Sequence, residues 1–552
     1  MKYNVNTRFS QNPASLDISR SVFDRVNNHK TTFNAGKLIP VYCEEVLPGD
    51  TVTMDTSFLV RMTTPIFPVM DNAFIDLFWF FVPNRLVWDK WKEFNGENDV
   101  NAWANTEDYI VPAINSDPSD NDSIPRGSLA DYFGLPTNVP IRDDIRINAL
   151  PFRGYRLTWN EYFRDQNLQN PLLIDTSSND VYWYEITNGL NKVLPVNKIH
   201  DYFTSCLPSP QKGNPVLLGF DAPVPVFTGL KPTTYVRNEN PLYWQRTGTD
   251  LPEFNNTTNG MIGVSSQGAT RVDTHAGTPG SSGVFSAAPA NLFADTTALT
   301  VSVNQLRQAF QVQKLLERDA RGGTRYWELI KSHFGVTAPD ASLQRPEFLG
   351  SSRTYINMTQ VVQNSSSDTT SPQGNTAAFS KTVNSENSFT KSFTEHGFLF
   401  GLCCVRTDHT YQQGINKKWL RQSRFDYYWP ALANIGEQPV MLHELYYDGA
   451  SDADQIFGYQ EAWASYRYSP SYVTGAFRSN VTGSLDSWHY ADYYNSRPYL
   501  SDAWVQETSA NIDRTLAVQS SLEDQFLGDF YFKSKWTRPM PVYSVPGLVD
   551  HH

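Results

Sequence analysis

From Ala35 to Val82 short β-rich apolar runs alternate with Pro and Gly, and the turn Pro48-Gly49-Asp50 separates two strand candidates. This is the pattern of antiparallel β structure. The densest apolar stretch runs from Thr64 to Glu97, and within it Ala73–Val82, rich in Phe, Ile and Trp and bounded by Pro83, predicts a central strand buried on both faces. It does not predict a membrane span. Asp71, Asp76, Arg85, Asp89 and Lys90 interrupt it, and the longest charge-free run, Leu77–Asn84, is far shorter than the roughly 20 apolar residues needed to cross a bilayer.

Helical spacing governs three later segments. Leu150–Gln166 sets Phe152, Tyr155, Trp159 and Tyr162 or Phe163 on one stripe just after Pro151, which predicts a short amphipathic helix packed on the β body. Ser302 opens a second helix: Gln305 completes a capping box, Leu306, Phe310 and Leu315 or Leu316 form the stripe, and Gly322 ends it. Thr324–Phe334 repeats the pattern with Trp327, Ile330 and Phe334 and stops at Gly335. From Thr354 onward β-like runs return, among them His396–Arg406, Gln438–Tyr447 and Phe526–Trp536. Strands at both ends of the chain predict a mainly β fold, one barrel closed by its termini.

Two excursions interrupt this grammar. Glu97–Asp122 carries seven acids and no Lys or Arg, which predicts an acidic surface loop. Asn214–Thr300 is poor in β signals, and its part from Thr247 to Pro289 is built mainly of Gly, Ser, Thr, Asn and Ala, so it buries little apolar area and is expected as an exposed loop system. The expected organisation is an N-terminal arm, 1–37, and one domain, 38–552, with insertions at 97–149, 214–300 and 302–335.

Composition changes the picture at the surface. Of 552 residues 14% are aromatic and 18% charged, against about 25% charged in ordinary proteins. The 28 Tyr and 14 Trp exceed what a core built on Leu, Ile and Val requires, and they are the residue types that anchor protein interfaces, so broad contacts between subunits are expected. The net charge of −12 argues against a surface that grips phosphate everywhere; a nucleic-acid contact would have to be local. The first 37 residues are locally basic, which suits an inward-facing arm or a solvated terminus. Cys43, Cys206, Cys403 and Cys404 lack CxxC spacing and are expected as reduced, buried thiols. No charged region followed by an apolar one succeeds Met1, so maturation in a cytoplasm is expected.

Signals for catalysis are absent: no GxSxG elbow, P-loop, HExxH or dinucleotide fingerprint occurs. Asp117, Asp120 and Asp122 lack the spacing of a calcium loop, and the histidines are scattered apart from His551-His552, so neither metal nor cofactor is expected. Arg321-Gly322-Gly323 is a helix C-cap before it is a nucleic-acid element. Asn255-Asn256-Thr257 is a glycosylation sequon without a secretory context. One basic cluster interleaves with aromatics: Asn416–Trp429, offering Lys417, Lys418, Arg421 and Arg424 beside Trp419, Phe425 and Tyr427. Cations on phosphates with rings under bases would bind single-stranded DNA, and the same residues would equally anchor a subunit contact.

Long blocks in the same order resemble the major capsid protein of gokushoviruses, the small single-stranded DNA phages of the Microviridae. They include AGKLIPVYCEEVLPGDTVTMDTSFLVRMT from Ala35 and LPFRGYRLTWNEYFRDQNL from Leu150, then FTSCLPSPQKG from Phe203 and LQRPEFLGSS from Leu343. Further blocks span Glu395–Val440, Gly458–Ser479 and Phe526–Leu548; together they cover roughly half the chain, whereas the acidic excursion and 214–300 carry none. The resemblance implies an eight-stranded antiparallel jelly roll with large insertions, sixty copies of which form a T=1 icosahedral virion shell around circular single-stranded DNA. It also implies a small basic DNA-binding protein, a scaffolding protein and threefold protrusions, for which 214–300 is the candidate and a bacterial surface receptor the expected contact.

A rival reading is a β-sandwich glycoside hydrolase or carbohydrate-binding protein, since Trp platforms and carboxylates also suit sugars. It requires an acid/base pair roughly 5 to 9.5 Å apart in a Trp-lined cleft. A stand-alone DNA binder is disfavoured by the net charge.

Overall fold

The computed structural model describes residues 19–97, 109–115, 123–139, 145–182, 190–216, 303–365, 369, 372–449 and 455–543, with short strand segments between 226 and 294. The chain divides into two compact units, one of Met1–Lys212 with Glu317–His552 and one of Gly213–Leu316.

The eight longest strands all lie in the first unit: β1 (Ser21–Phe33), β2 (Ile39–Val46), β3 (Thr51–Met62), β4 (Ala73–Pro83), β5 (Glu347–Tyr355), β6 (Thr382–Ser392), β7 (Gly397–Thr407) and β8 (Phe526–Arg538). They form two four-stranded antiparallel sheets, ordered β1-β8-β3-β6 and β5-β4-β7-β2. The terminal strands pair along their whole length, from Ser21 opposite Arg538 to Phe33 opposite Phe526.

The first sheet has one wet face. In β3 the residues Val52, Met54, Thr56, Phe58, Val60 and Met62 are buried and those between are not, and β8 alternates in the same way through Phe526, Phe530, Phe532 and Trp536. A period of two places all of these on one face. That face meets the second sheet, where Trp79 packs against Phe532 at 5.8 Å and Phe389 at 5.4 Å, and Phe81 against Phe393 at 4.6 Å.

The second sheet is covered on both sides, which explains the unbroken apolar runs of β4 and β7. Its outer face carries α1 (Leu150–Thr158), which continues as a π turn over Trp159–Phe163. Gly154 is at the crossing point: a Cβ there would lie 3.0 Å from the Phe400 ring. Tyr162 and Phe163 pack on Phe80 and Phe78 at 4.7 and 5.2 Å. The Tyr155 hydroxyl donates to Leu38 O at 2.7 Å and accepts from Leu194 N–H at 3.0 Å, which fixes the helix to two loops.

Several expectations are corrected. Ser21–Phe33, placed by the sequence in a basic arm, is a sheet strand; residues 1–18 lie outside the described residues. The Pro48–Asp50 turn separates two strands as expected, with Gly49 at φ +90°, and carries the chain from the second sheet to the first. The run Gln438–Tyr447 is a strand only over Glu437–Met441, then a short helix, Leu442–Leu445, because Glu444 Oε1 accepts the Met441 N–H at 3.1 Å. The acidic excursion is not all surface, since Ile114 joins the main core; Asp117, Asp120 and Asp122 lie outside the described residues. The helices α2 (Val303–Gly322) and α3 (Tyr326–Phe334) form where expected, and Gly335 at φ +70° caps the latter. The α2 stripe, however, is not core: Phe310 is 64% exposed and Ala320 is the only buried residue of that helix.

Candidate functional site

The basic aromatic segment is a surface of short turns. Lys417–Trp419, Arg424–Asp426 and Pro430–Leu432 are single 3₁₀ turns. The first is opened by Asn416, whose side chain accepts the Lys418 N–H at 3.1 Å, and the second by Asp426, whose Oδ2 accepts the N–H groups of Gln422 and Ser423. Turns this short bury almost nothing, so the rings stand in solvent: Trp419 is 74% and Phe425 73% exposed.

The cations are largely occupied within the chain. Lys417 Nζ lies 3.6 Å from Glu444 Oε1 and donates to Pro439 O at 3.2 Å. Arg421 stacks 4.0 Å above the Tyr466 ring while bonding Ser465, Arg424 stacks on Trp429 at 4.7 Å, and Lys418 sits 5.2 Å from the Trp419 ring. Each guanidinium thereby lies over an aromatic face.

Other aromatics join this surface that sequence spacing did not single out. Tyr428, Trp463 and Tyr466 form a mutual cluster with centroids 5.7 to 6.4 Å apart. Trp463 occupies the left-handed region at φ +65°, a strained conformation for a large residue. It is held there by the Gln438 side chain on its N–H at 3.0 Å and by its own indole N–H donating to Leu432 O at 2.8 Å. A cavity of about 360 Å³ opens beside Trp419, walled by Tyr468, Tyr472, Lys417 and Lys418 and floored by Tyr202 and Glu444. The only available signal was the aromatic density of Gly458–Tyr472.

Beneath the loops that follow β7 lies a buried ionic network. His409 has one ring nitrogen 3.1 Å from Asp492 and the other 3.0 Å from Glu507, and Lys198 Nζ is 3.3 Å from Asp492. Burial alone would depress the His409 pKa; the two carboxylates outweigh it and push the value up to about 10. An imidazolium with both nitrogens committed to carboxylates ties strands and loops together and has no proton to exchange with a substrate. The four cysteines are free, and burial pushes the Cys404 thiol up to about 12, so it stays protonated. Among the described residues no group of His, Cys, Asp and Glu could hold a metal ion, and no helix is long and apolar enough to cross a membrane.

The second unit contains a nested ladder. Val226–Thr228 pairs with Leu292–Ala294, Trp244–Arg246 with Ala287–Pro289, and Gly263–Val264 with Val272–Asp273, all antiparallel. The sequon at Asn255 and the terminal histidines lie outside the described residues.

Comparisons with known proteins agree with this surface-dominated picture. The profile of the family described as Capsid protein (F protein) matches residues 11–548. Capsid protein VP1 of Chlamydia phage 1 is 40% identical, with 99% of this chain and 98% of that protein covered. VP1 of Bdellovibrio phage phiMH2K is 40% identical over 98% of this chain and 97% of its own, and VP1 of Spiroplasma virus 4 is 40% identical over 94% of each. These findings set aside the carbohydrate-active rival. The chain belongs to the phage capsid protein (F protein) family: it is a structural major capsid protein of gokushovirus type that assembles into the virion shell, and not an enzyme.

Proposed function

We propose that this chain is an eight-stranded antiparallel jelly roll, sixty copies of which close a T=1 icosahedral shell around circular single-stranded DNA. The observation that carries the reading is the strand order, β1-β8-β3-β6 facing β5-β4-β7-β2. Every link between consecutive strands crosses from one sheet to the other except β4 to β5, as in two interleaved Greek keys. The long departures, 84–346 and 408–525, leave from strand ends, where insertions do not disturb the ladder.

The surface of Lys417, Lys418, Trp419, Arg421, Arg424 and Phe425 is a contact between subunits. Its arginines lie over rings, Lys417 pairs with Glu444, and around them stands a broad face of exposed aromatics of the kind that anchors protein interfaces. Many such contacts, each weak, stabilise a closed shell together.

Residues 214–300, whose described strand segments pair with one another, are the candidate for the threefold protrusion and for contact with a bacterial surface receptor. With a net charge of −12, the subunit leaves neutralisation of the genome to a small basic DNA-binding protein, and a scaffolding protein guides assembly in the host cytoplasm. Mass measurement of purified shells tests the copy number: the reading requires sixty times 62.6 kDa of this protein, and any other multiple excludes it.

A further inference from the structure

Between β5 and β6 the chain leaves the two sheets as a two-stranded antiparallel ribbon, Met358–Val362 against Thr376–Ser380. Its base is anchored. Ile356 and Met358 pack on the main core, the Ser380 hydroxyl donates to Asn357 O at 3.0 Å, and the Thr382 hydroxyl accepts the Asn357 N–H at 2.9 Å. Towards the turn, the Gln363 N–H donates to Asn375 O and its carbonyl accepts from the Gly374 N–H, both at 2.8 Å. Among the described residues neither ribbon strand pairs with a third, so both outer edges are open.

Beyond its base the ribbon is uncovered. The register sets Thr359 opposite Phe379 and Val361 opposite Ala377, which places all four on one face. All four are exposed, Phe379 to 48% and Val361 to 46%, and Val362 on the other face is 46% exposed. Two strands alone are marginally stable in water. Open edges are ordinarily blunted by Lys, by Pro or by a bulge. Neither ribbon strand contains Lys or Pro, and their register runs without a shift. From Thr354 to Ser380 the sole charged residue is Asp368, which lies outside the described residues.

We propose that this ribbon is a subunit contact, its apolar face and an open edge covered in the shell by a second copy of this chain. Charge selects that occupant. Strands without Lys or Arg offer nothing to phosphate, and strands without a carboxylate offer nothing to a basic protein. A second copy matches them: only 18% of its residues are charged, and it belongs to a family of capsid proteins whose subunits lie against one another. The open edge supplies main-chain hydrogen bonds, and Val361 and Phe379 supply buried apolar area. The contact shares no residue with the surface around Trp419 and stands without it.

The test uses the full chain as free subunits and as closed shells. Hydrogen–deuterium exchange at 358–362 and 376–380 is expected to be fast in subunits and slowed about tenfold or more in shells; equal rates overturn the proposal. Slowing confined to genome-filled shells and absent from empty ones assigns nucleic acid as the cover and also overturns it. Val361→Cys, close in size to the original and labelled with a photoreactive maleimide, is expected to join two copies of the 62.6 kDa chain in shells. Cross-links only to another protein, or only within one chain, contradict the second copy. Val361→Lys should leave urea unfolding of the subunit unchanged and raise the protein concentration needed for shells about tenfold or more, because a buried unpaired charge opposes association. Assembly at the original concentration overturns the contact. The exchange comparison needs no variant, so a variant that fails to fold leaves the test intact.

Discussion

Gly401 of β7 faces the indole of Trp79 on β4: a Cβ at Gly401 would lie 3.0 Å from two ring carbons and 2.9 Å from the Cβ of Tyr42. The missing side chain lets the largest residue of the second sheet lie over its neighbouring strand and reach Phe532 and Phe389 of the first. Gly401→Ala is expected to destabilise the subunit by about 1–3 kcal/mol through overpacking. Trp79→Ala is expected to cost about 3–5 kcal/mol through the cavity it leaves. Urea unfolding of the purified chain measures both; a neutral Gly401→Ala contradicts the contact.

The His409 network sets a pH dependence. The folded pKa is raised from 6.5 to about 10, so the stabilisation is fully present below 6.5 and lost as pH rises through about 10. Asp492 shifts the other way: burial opposes it, but Lys198 and His409 hold its pKa below the ordinary 3.8, so its share is present above that value and is lost as pH falls through the depressed one. Unfolding free energy should therefore be greatest between about pH 4 and 6.5 and fall towards pH 10. His409→Gln leaves Glu507 and Asp492 short of a cation; it should lower stability by about 3–5 kcal/mol and flatten the alkaline slope. An unchanged slope in the variant would assign the pH dependence elsewhere.

The sequence made the sheets legible in unequal measure. β4 and β7 were plain because a strand buried on both faces is a continuous apolar run. β1 was not: SVFDRVNNHKTTF reads as polar, and its strand form comes from pairing with β8 at the other end of the chain, a contact that no local pattern encodes. The basic aromatic segment was visible as composition, yet the stacking of Arg421 on Tyr466 that positions its guanidinium depends on a separate loop.

Trp419→Ala and Phe425→Ala separate folding from assembly. Both rings are mostly solvent-exposed, so each substitution should leave subunit stability within about 0.5 kcal/mol. Buried against a neighbouring subunit, each should weaken association by about 2 kcal/mol per contact, read as a higher protein concentration needed for shells in sedimentation. Normal assembly of both variants removes this surface from the interface.

Deleting residues 247–289 should leave the two main sheets intact, because none of their eight strands draws on that tract. Particles should still form, while adsorption to host cells falls. Intact adsorption by the shortened particles excludes the attachment role.

The most direct measurement is a cryo-electron microscopic reconstruction of shells assembled from this chain with its scaffold. The expected result is a T=1 shell in which each of sixty subunits carries the order β1-β8-β3-β6 facing β5-β4-β7-β2, with the 214–300 insertion projecting at the threefold axes. A different triangulation, or shells in which that insertion lies buried between subunits, would contradict it.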